Sequence, residues 1–311
     1  RFGAVNEIGV FAMVEHGMAG HSCILEFSFV ENGTKTADDT WRLMYMTGIR
    51  RYYRLWKLYT AKSIKAVMSY RWSFLINCIS QALDYGISFL LMWIMITAFN
   101  GMNGWNSYEV MMLYSTSLFS YGIAGTFFFT IFLNLPNMIH TGNFDDVLVK
   151  PVRVLPYLIS SNFMCNYIAH IVLSIIVMVI CAGRLDYSIN WLFVATVIIS
   201  GSFIYAGLFL IVSASAFWAI KIDALFEIMY FFREVSYYPI SVFPHIIQII
   251  VTVIIPYGMM NYYPLKLMFH KQDIAFGDGF AYAFPAFTIG FFVLANVYFV
   301  FCRRLYTSSG S

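Results

Sequence analysis

The chain is 311 residues long, 60% hydrophobic and only 11% charged, with a formal net charge of +3. So few charges cannot give a soluble enzyme of this size its polar outer face, and the small positive surplus does not suggest a nucleic-acid partner. What remains is a polytopic membrane protein, with no stretch from about residue 50 onward left to house a soluble domain of usual size.

The apolar stretches are continuous rather than alternating, so the spanning elements are predicted to be helices, about six in all, each near the roughly 20 residues a bilayer requires. Residues 1–45 are unlike the rest: the chain opens on Arg1 and mixes Gly, His, Glu and Asp with brief apolar runs. They are expected to be an N-terminal extension, not native, with the natural start at Met44 or Met46. Residues 46–71 form a basic segment. Arg50, Arg54, Lys57 and Lys65 recur at helical spacing while Tyr52, Trp56, Tyr59 and Ser63 lie on a different face. That pattern predicts an amphipathic helix in the cytoplasmic headgroup layer, the plainer alternative being a solvated basic face.

The transmembrane region is expected over 72–302, with a tail at 303–311. Span one is predicted at Trp72–Phe99, where Asp84 is the only charge, and a Gly/Asn loop follows from Asn100 to Ser107. Span two is predicted at Tyr108–Leu135, ended by Pro136, then a polar loop from His140 to Pro156. Span three is placed at Ser160–Ala182, a turn at Arg184-Leu185-Asp186, and span four at Ile189–Ile220. The region Asp223–Lys271 holds two apolar pieces, Ala224–Phe243 and His245–Phe269, broken by four prolines, and parity allows only one of them to cross. The last span is placed at Phe280–Phe301, stopping at Arg303 and Arg304. With the N-terminus inside, the basic helix, Lys150, Arg153, Lys221, Arg303 and Arg304 are all cytoplasmic, and only Arg184, Lys266 and Lys271 fall outside.

No phosphate-binding loop, His-Glu-x-x-His, Gly-x-Ser-x-Gly or Cys-x-x-Cys occurs, so no catalytic residue and no metal site is expected. The five cysteines, Cys23, Cys78, Cys165, Cys181 and Cys302, read as small apolar fillers. Two features stand out. In span one, Asn77, Gln81, Asp84 and Ser88 fall on one helix face, suited to helix packing or to lining a path; Thr196, Ser200 and Gly207 make a similar small-residue face on span four. In the polar loop, Asp145 and Asp146 can complement a short helix N-terminus with Asn143 as its cap, and Phe144 is expected to stand exposed for docking; the alternative is a solvated connector.

Four passages carry a resemblance: Tyr70-Arg71-Trp72-Ser73-Phe74; the loop Gly142-Asn143-Phe144-Asp145-Asp146-Val147-Leu148-Val149-Lys150-Pro151; Tyr238-Pro239-Ile240-Ser241-Val242-Phe243-Pro244 with Ile255-Pro256 and Tyr263-Pro264; and the ending Arg303-Arg304-Leu305-Tyr306. From about residue 46 onward the chain resembles ABC transporter permeases of the type-2 exporter class, the ABC-2 family transporter proteins. The loop is the most specific part of the likeness. The resemblance implies an all-α fold of six spans with Ala224–Phe243 as span five and an extracytoplasmic re-entrant hairpin before the last. It implies a homo- or heterodimer in the cell membrane with both termini cytoplasmic. ATP and Mg would be bound by separate ATPase subunits docked on loop 140–156, at Asn143, Phe144, Asp145, Asp146 and Lys150. Residues 1–45 and the charges Glu227 and Arg233 depart from the pattern. An ATP-independent secondary transporter or channel is the alternative, which internal repeats and several ionisable residues within the spans would favour.

Overall fold

The computed structural model describes residues 49–98, 104–150, 152–185, 188–219, 221–271 and 281–307, the side chains of 49–52 excepted; the expectations for 1–45, for Arg50 and Tyr52 as side chains, and for Cys23 lie outside them. Every regular element among the described residues is a helix. In chain order they are α1 (Ile49–Ser69), α2 (Arg71–Ala98), α3 (Ser107–His140), α4 (Asp145–Leu148), α5 (Val154–Ser161), α6 (Ile168–Ala182), α7 (Trp191–Phe217), α8 (Asp223–Val235), α9 (His245–Ile254), α10 (Gly258–Met268) and α11 (Phe284–Arg303). Four of these, α2, α3, α7 and α11, are long and apolar enough to cross a membrane. A fifth crossing arises if α9 and α10, bent by 81° at their junction, count as one broken span.

The central element is α7. Asn190 caps it, its carboxamide oxygen accepting the Leu192 and Phe193 amides at 3.1 and 3.2 Å. Its glycines let neighbours close in. A Cβ on Gly201 would stand 2.6 Å from Ser120 Oγ of α3 and 2.7 Å from Met260 Cγ of α10, and one on Gly207 would stand 2.8 Å from the Phe291 ring of α11. Ser200 and Gly207 are thus buried in packing, whereas Thr196 is exposed and returns its hydroxyl to the Phe193 carbonyl at 2.6 Å. At the start of α3, the buried Glu109 accepts the Asn106 amide at 2.7 Å and pairs with Lys271 at 2.9 Å, tying the end of the α9–α10 pair to the α3 N-terminus.

Three expected boundaries move. Pro136 does not end the second span: α3 runs on to His140 through a π turn at Gly125–Phe129. Pro136 is itself buried, as are Phe132, Leu135 and Ile139 of the same stretch, so the missing amide falls where the helix is held inside the bundle. The third expected span splits. The Asn162 side-chain amide donates to the Leu158 carbonyl at 2.8 Å where α5 stops, residues 162–167 run irregularly, and α6 begins only at Ile168. That irregular backbone is satisfied from the π turn, the Met164 amide donating to the Thr126 carbonyl at 3.0 Å. Within 224–243 the helix is 13 residues long, about 20 Å of rise, and it ends at Val235, before Pro239.

Helix α1 docks on α5. Leu55 is buried, the Ser63 hydroxyl donates to the Phe163 carbonyl at 3.0 Å, and Tyr59 and Tyr157 meet edge to face with their hydroxyls 3.5 Å apart. Burial, and then the bond to Tyr157, pushes the Tyr59 phenol up to about 12. Arg54, Lys57 and Lys65 are exposed on the other side. The described cysteines, Cys78, Cys165, Cys181 and Cys302, are all free.

Candidate functional site: the loop after α3

The chain leaves α3 through a tight reversal. Thr141 donates its amide to the Asn137 carbonyl at 2.9 Å, and Gly142 adopts φ of 76°, a left-handed conformation that strains any residue with a Cβ. The Phe144 amide then turns back onto the Met138 carbonyl at 3.0 Å, and the single-turn helix α4 follows. Asp145 and Asp146 occupy its first turn as expected. Asn143 does not cap it: Phe144 is the capping position, with no side-chain bond.

The larger correction concerns Phe144, which is fully buried rather than exposed. The reversal at Gly142 turns Phe144 and Val147, three apart on one helix face, into the bundle. There Phe144 meets Phe217 at the end of α7 and Tyr306 beyond α11, both edge to face at 5.2 Å between ring centres. Burial and the neighbouring Asp145 carboxylate raise the Tyr306 phenol above its ordinary range. What the loop offers to solvent is Asn143, Asp146, Leu148, Val149 and Lys150, with Val149 83% exposed. Lys150 lies 4.4 Å above the Tyr157 ring and donates to its hydroxyl at 2.5 Å. Tyr157 is also the ring that meets Tyr59, so the loop, α5 and α1 form one connected surface.

Thus two aliphatic residues, Leu148 and Val149, stand out where an aromatic was expected. Only Val149 had a signal in the sequence: Phe144, Val147 and Leu148 are spaced i, i+3 and i+4 on one helix face, and Val149 falls off it.

The stripe on α2 is brought together only in part. Gln81 donates its amide to Asn77 Oδ1 at 2.7 Å, a bond along the helix rather than across to another. Ser88 donates to the Asp84 backbone carbonyl at 3.0 Å, while the Asp84 side chain is exposed. Tyr85, beside it, meets the His170 ring of α6 at 4.5 Å between ring centres, tilted by 58°. No group of three or more His, Cys, Asp or Glu among the described residues could hold a metal ion.

Compared with known families, residues 82–310 match the model of the family described as ABC-2 family transporter protein. No curated protein and no solved structure matches significantly.

Proposed function

The chain belongs to the ABC-2 family of transporter proteins, and from that premise we propose that it is the membrane-spanning permease subunit of an ATP-binding cassette exporter. It forms its path as a dimer with a second permease subunit in the lipid bilayer of the cell membrane, and separate ATPase subunits carry the ATP and Mg. The observation that carries this reading is the family match across residues 82–310, which covers the loop after α3 and every long apolar helix but the beginning of α2.

Loop 140–156 is the coupling element of this proposal. Its buried end, Phe144 and Val147, is packed among residues that terminate α7 and α11, so a push on the loop moves helix ends rather than dissipating in a flexible connector. Its outer end, with Asn143, Asp146, Leu148, Val149 and Lys150, is the surface for an ATPase subunit; Asp145 is the hinge between the two. Residues 46–71 serve as the cytoplasmic interfacial helix, 72–302 as the six-span permease domain and 303–311 as a cytoplasmic tail. For six spans with both termini cytoplasmic, α6 and α8 must each cross, and the bent α9–α10 pair is the re-entrant hairpin. The short α6 and α8 fit a locally thinned bilayer or a crossing completed by irregular backbone inside the protein.

The test is purification of the native complex in mild detergent. A co-purifying subunit of ATPase size with vanadate-sensitive hydrolysis is expected, and Val149→Glu is expected to release it while the permease stays inserted. A permease that transports with no ATPase attached would return the chain to the ATP-independent reading.

A further inference from the structure

Midway along the bundle lies a cation with no ion-pair partner among the described residues. Arg233, near the end of α8, is half-buried. Its guanidinium carbon stands 4.8 Å from the Tyr121 ring centre, 5.0 Å from Tyr230 and 6.0 Å from Tyr237. Tyr85 of α2 and Tyr205 of α7 lie in the same aromatic group, which runs from Tyr121 to Tyr205 at 5.2 Å and through His170 to Tyr85 at 4.5 Å. Tyr85, Tyr121 and Tyr205 each sit near the middle of a long helix, which puts the guanidinium near mid-membrane in the proposed topology.

Tyrosine faces hold a guanidinium by its flat side, through the ring quadrupole, and leave its N–H edge and its full charge unanswered. Part of that edge is unanswered, although the Tyr85 side chain hydrogen-bonds the guanidinium. Arg233 Nε is buried without a hydrogen-bond partner, as are the Tyr237 hydroxyl and His170 Nδ1 in the same cluster. Glu227 and Glu234 share α8 with it and Asp84 adjoins Tyr85, and none forms an ion pair with it among the described residues. A cation at this depth is expensive unless something pairs with it, and a cluster with three unmet polar atoms is a place where a ligand is missing. Tyr85 and Tyr230 are partly exposed and form the outer wall of the cage.

We propose that Arg233, with the Tyr237 hydroxyl, is the seat for the oxyanion head of an amphiphile, a phosphate whose apolar body lies along α2 and α8. The inference rests on the transport reading and gives it a substrate or lipid class. The guanidinium fork supplies paired N–H donors to two oxygens, Tyr237 donates to a third, and the tyrosine cage holds the arginine in place before the ligand arrives.

The experiment uses the full chain, purified in a maltoside detergent and stripped of lipid. Thermal unfolding is followed as dodecyl phosphate is added, with dodecyltrimethylammonium as the cationic control. A second arm uses phosphatidylglycerol, with phosphatidylcholine as its control. Saturable stabilisation by an anion alone is expected; a response to dodecyl phosphate marks a cargo-sized site, and a response to phosphatidylglycerol only marks a resident lipid. Arg233→Gln should weaken binding about tenfold to a hundredfold, the loss of a charge-assisted bond. Should that variant fold poorly, Arg233→Lys keeps the charge, loses the fork, and should still weaken binding clearly. Tyr237→Phe separates the site from mere structure: deleting a buried hydroxyl that has no partner should leave the ligand-free melting temperature equal or higher while lowering affinity about fivefold. No stabilisation of the wild type by either anion, or equal stabilisation of Arg233→Gln, would overturn the proposal. Because the readout needs no ATPase subunit, its failure leaves the transport reading standing, and loss of that reading leaves this result intact.

Discussion

Helices α2 and α7 are both continuous apolar stretches, yet they live in different surroundings. In α7 sixteen residues from Val194 to Ala214 are buried; in α2 only Phe89, Met92 and Ile96 are. The centre of α7 is a run of small residues, Ser200-Gly201-Ser202 and Ala206-Gly207, which lets three neighbouring elements approach its backbone. The free face of α2 carries Leu75, Ile76, Ile79, Leu83, Ile87, Leu90 and Leu91, bulky side chains left 46–68% exposed. Hydropathy measures the cost of leaving water and is blind to whether lipid or protein replaces it; the size of the residues on each face is what separates the two.

The firmest way to break the contrast is at the loop end of the packed half. Phe144→Ala should lower stability by about 3–5 kcal/mol, the usual cost of emptying a fully buried aromatic site. Thermal unfolding of the isolated permease checks it. A variant as stable as the wild type would return Phe144 to the docking surface.

Next come two glycines, one in each helix. Gly201→Val forces side-chain atoms into Ser120 and Met260 and should cost about 1–3 kcal/mol. Gly86→Ala on α2 meets no atom within 4 Å and should be neutral or gain up to about 1 kcal/mol from helix propensity. Opposite signs in melting temperature are expected. Equal losses would mean that α2 is packed as tightly as α7, against a second copy of the chain.

Much of this architecture was legible. The positions of α2, α7 and α11 follow from unbroken apolar runs bounded by Asn190, by Arg303 and by the basic segment before Trp72. The break after Asn162 and the continuation through Pro136 were not legible, because each depends on tertiary surroundings: the Thr126 carbonyl that takes the Met164 amide in one case, burial of the proline in the other. In the loop, the reversal at Gly142 was hidden for a similar reason. A glycine permits a left-handed turn, but only the packing of Phe144 against Phe217 and Tyr306 selects it. Arg233 stood out as a charge in an apolar stretch, and its tyrosine partners, drawn from α3, α8 and the segment after α8, did not.

The outer half has its own seam at α1. Tyr59→Phe should cost no more than about 1 kcal/mol at neutral pH, since one weak hydroxyl contact is lost at a half-exposed site. The sign with pH is distinctive. The folded chain holds this phenol neutral up to about 12, whereas an unfolded tyrosine ionises near 10, so its contribution is complete below about pH 10 and fades as pH rises toward 12. The difference between wild type and variant should therefore shrink between about pH 10 and 12, the span those two values bracket. A constant difference would show that α1 is not held on α5 through this ring.

The smallest expected effect on stability is at Asp84, and it bears most directly on what covers α2. Its carboxylate is exposed within the chain, and the amides below it, Asn77 and Gln81, bond to each other rather than across to a neighbour. A tie between helices of this chain would make Asp84→Leu destabilising, and Asp84→Asn milder. A carboxylate pressed into lipid would make Asp84→Leu stabilising by about 2.5–3.5 kcal/mol, the cost of a charge at mid-membrane. A carboxylate facing a watered path between two subunits leaves stability within about 0.5 kcal/mol and shifts transport instead. The last outcome is expected, because the stripe Asn77, Gln81, Asp84 and Ser88 lies on one line along the helix beside half-exposed Tyr85. Melting temperature and transport rate measured on Asp84→Leu and Asp84→Asn decide among the three, and a markedly stabilised Asp84→Leu would assign this face of α2 to the lipid.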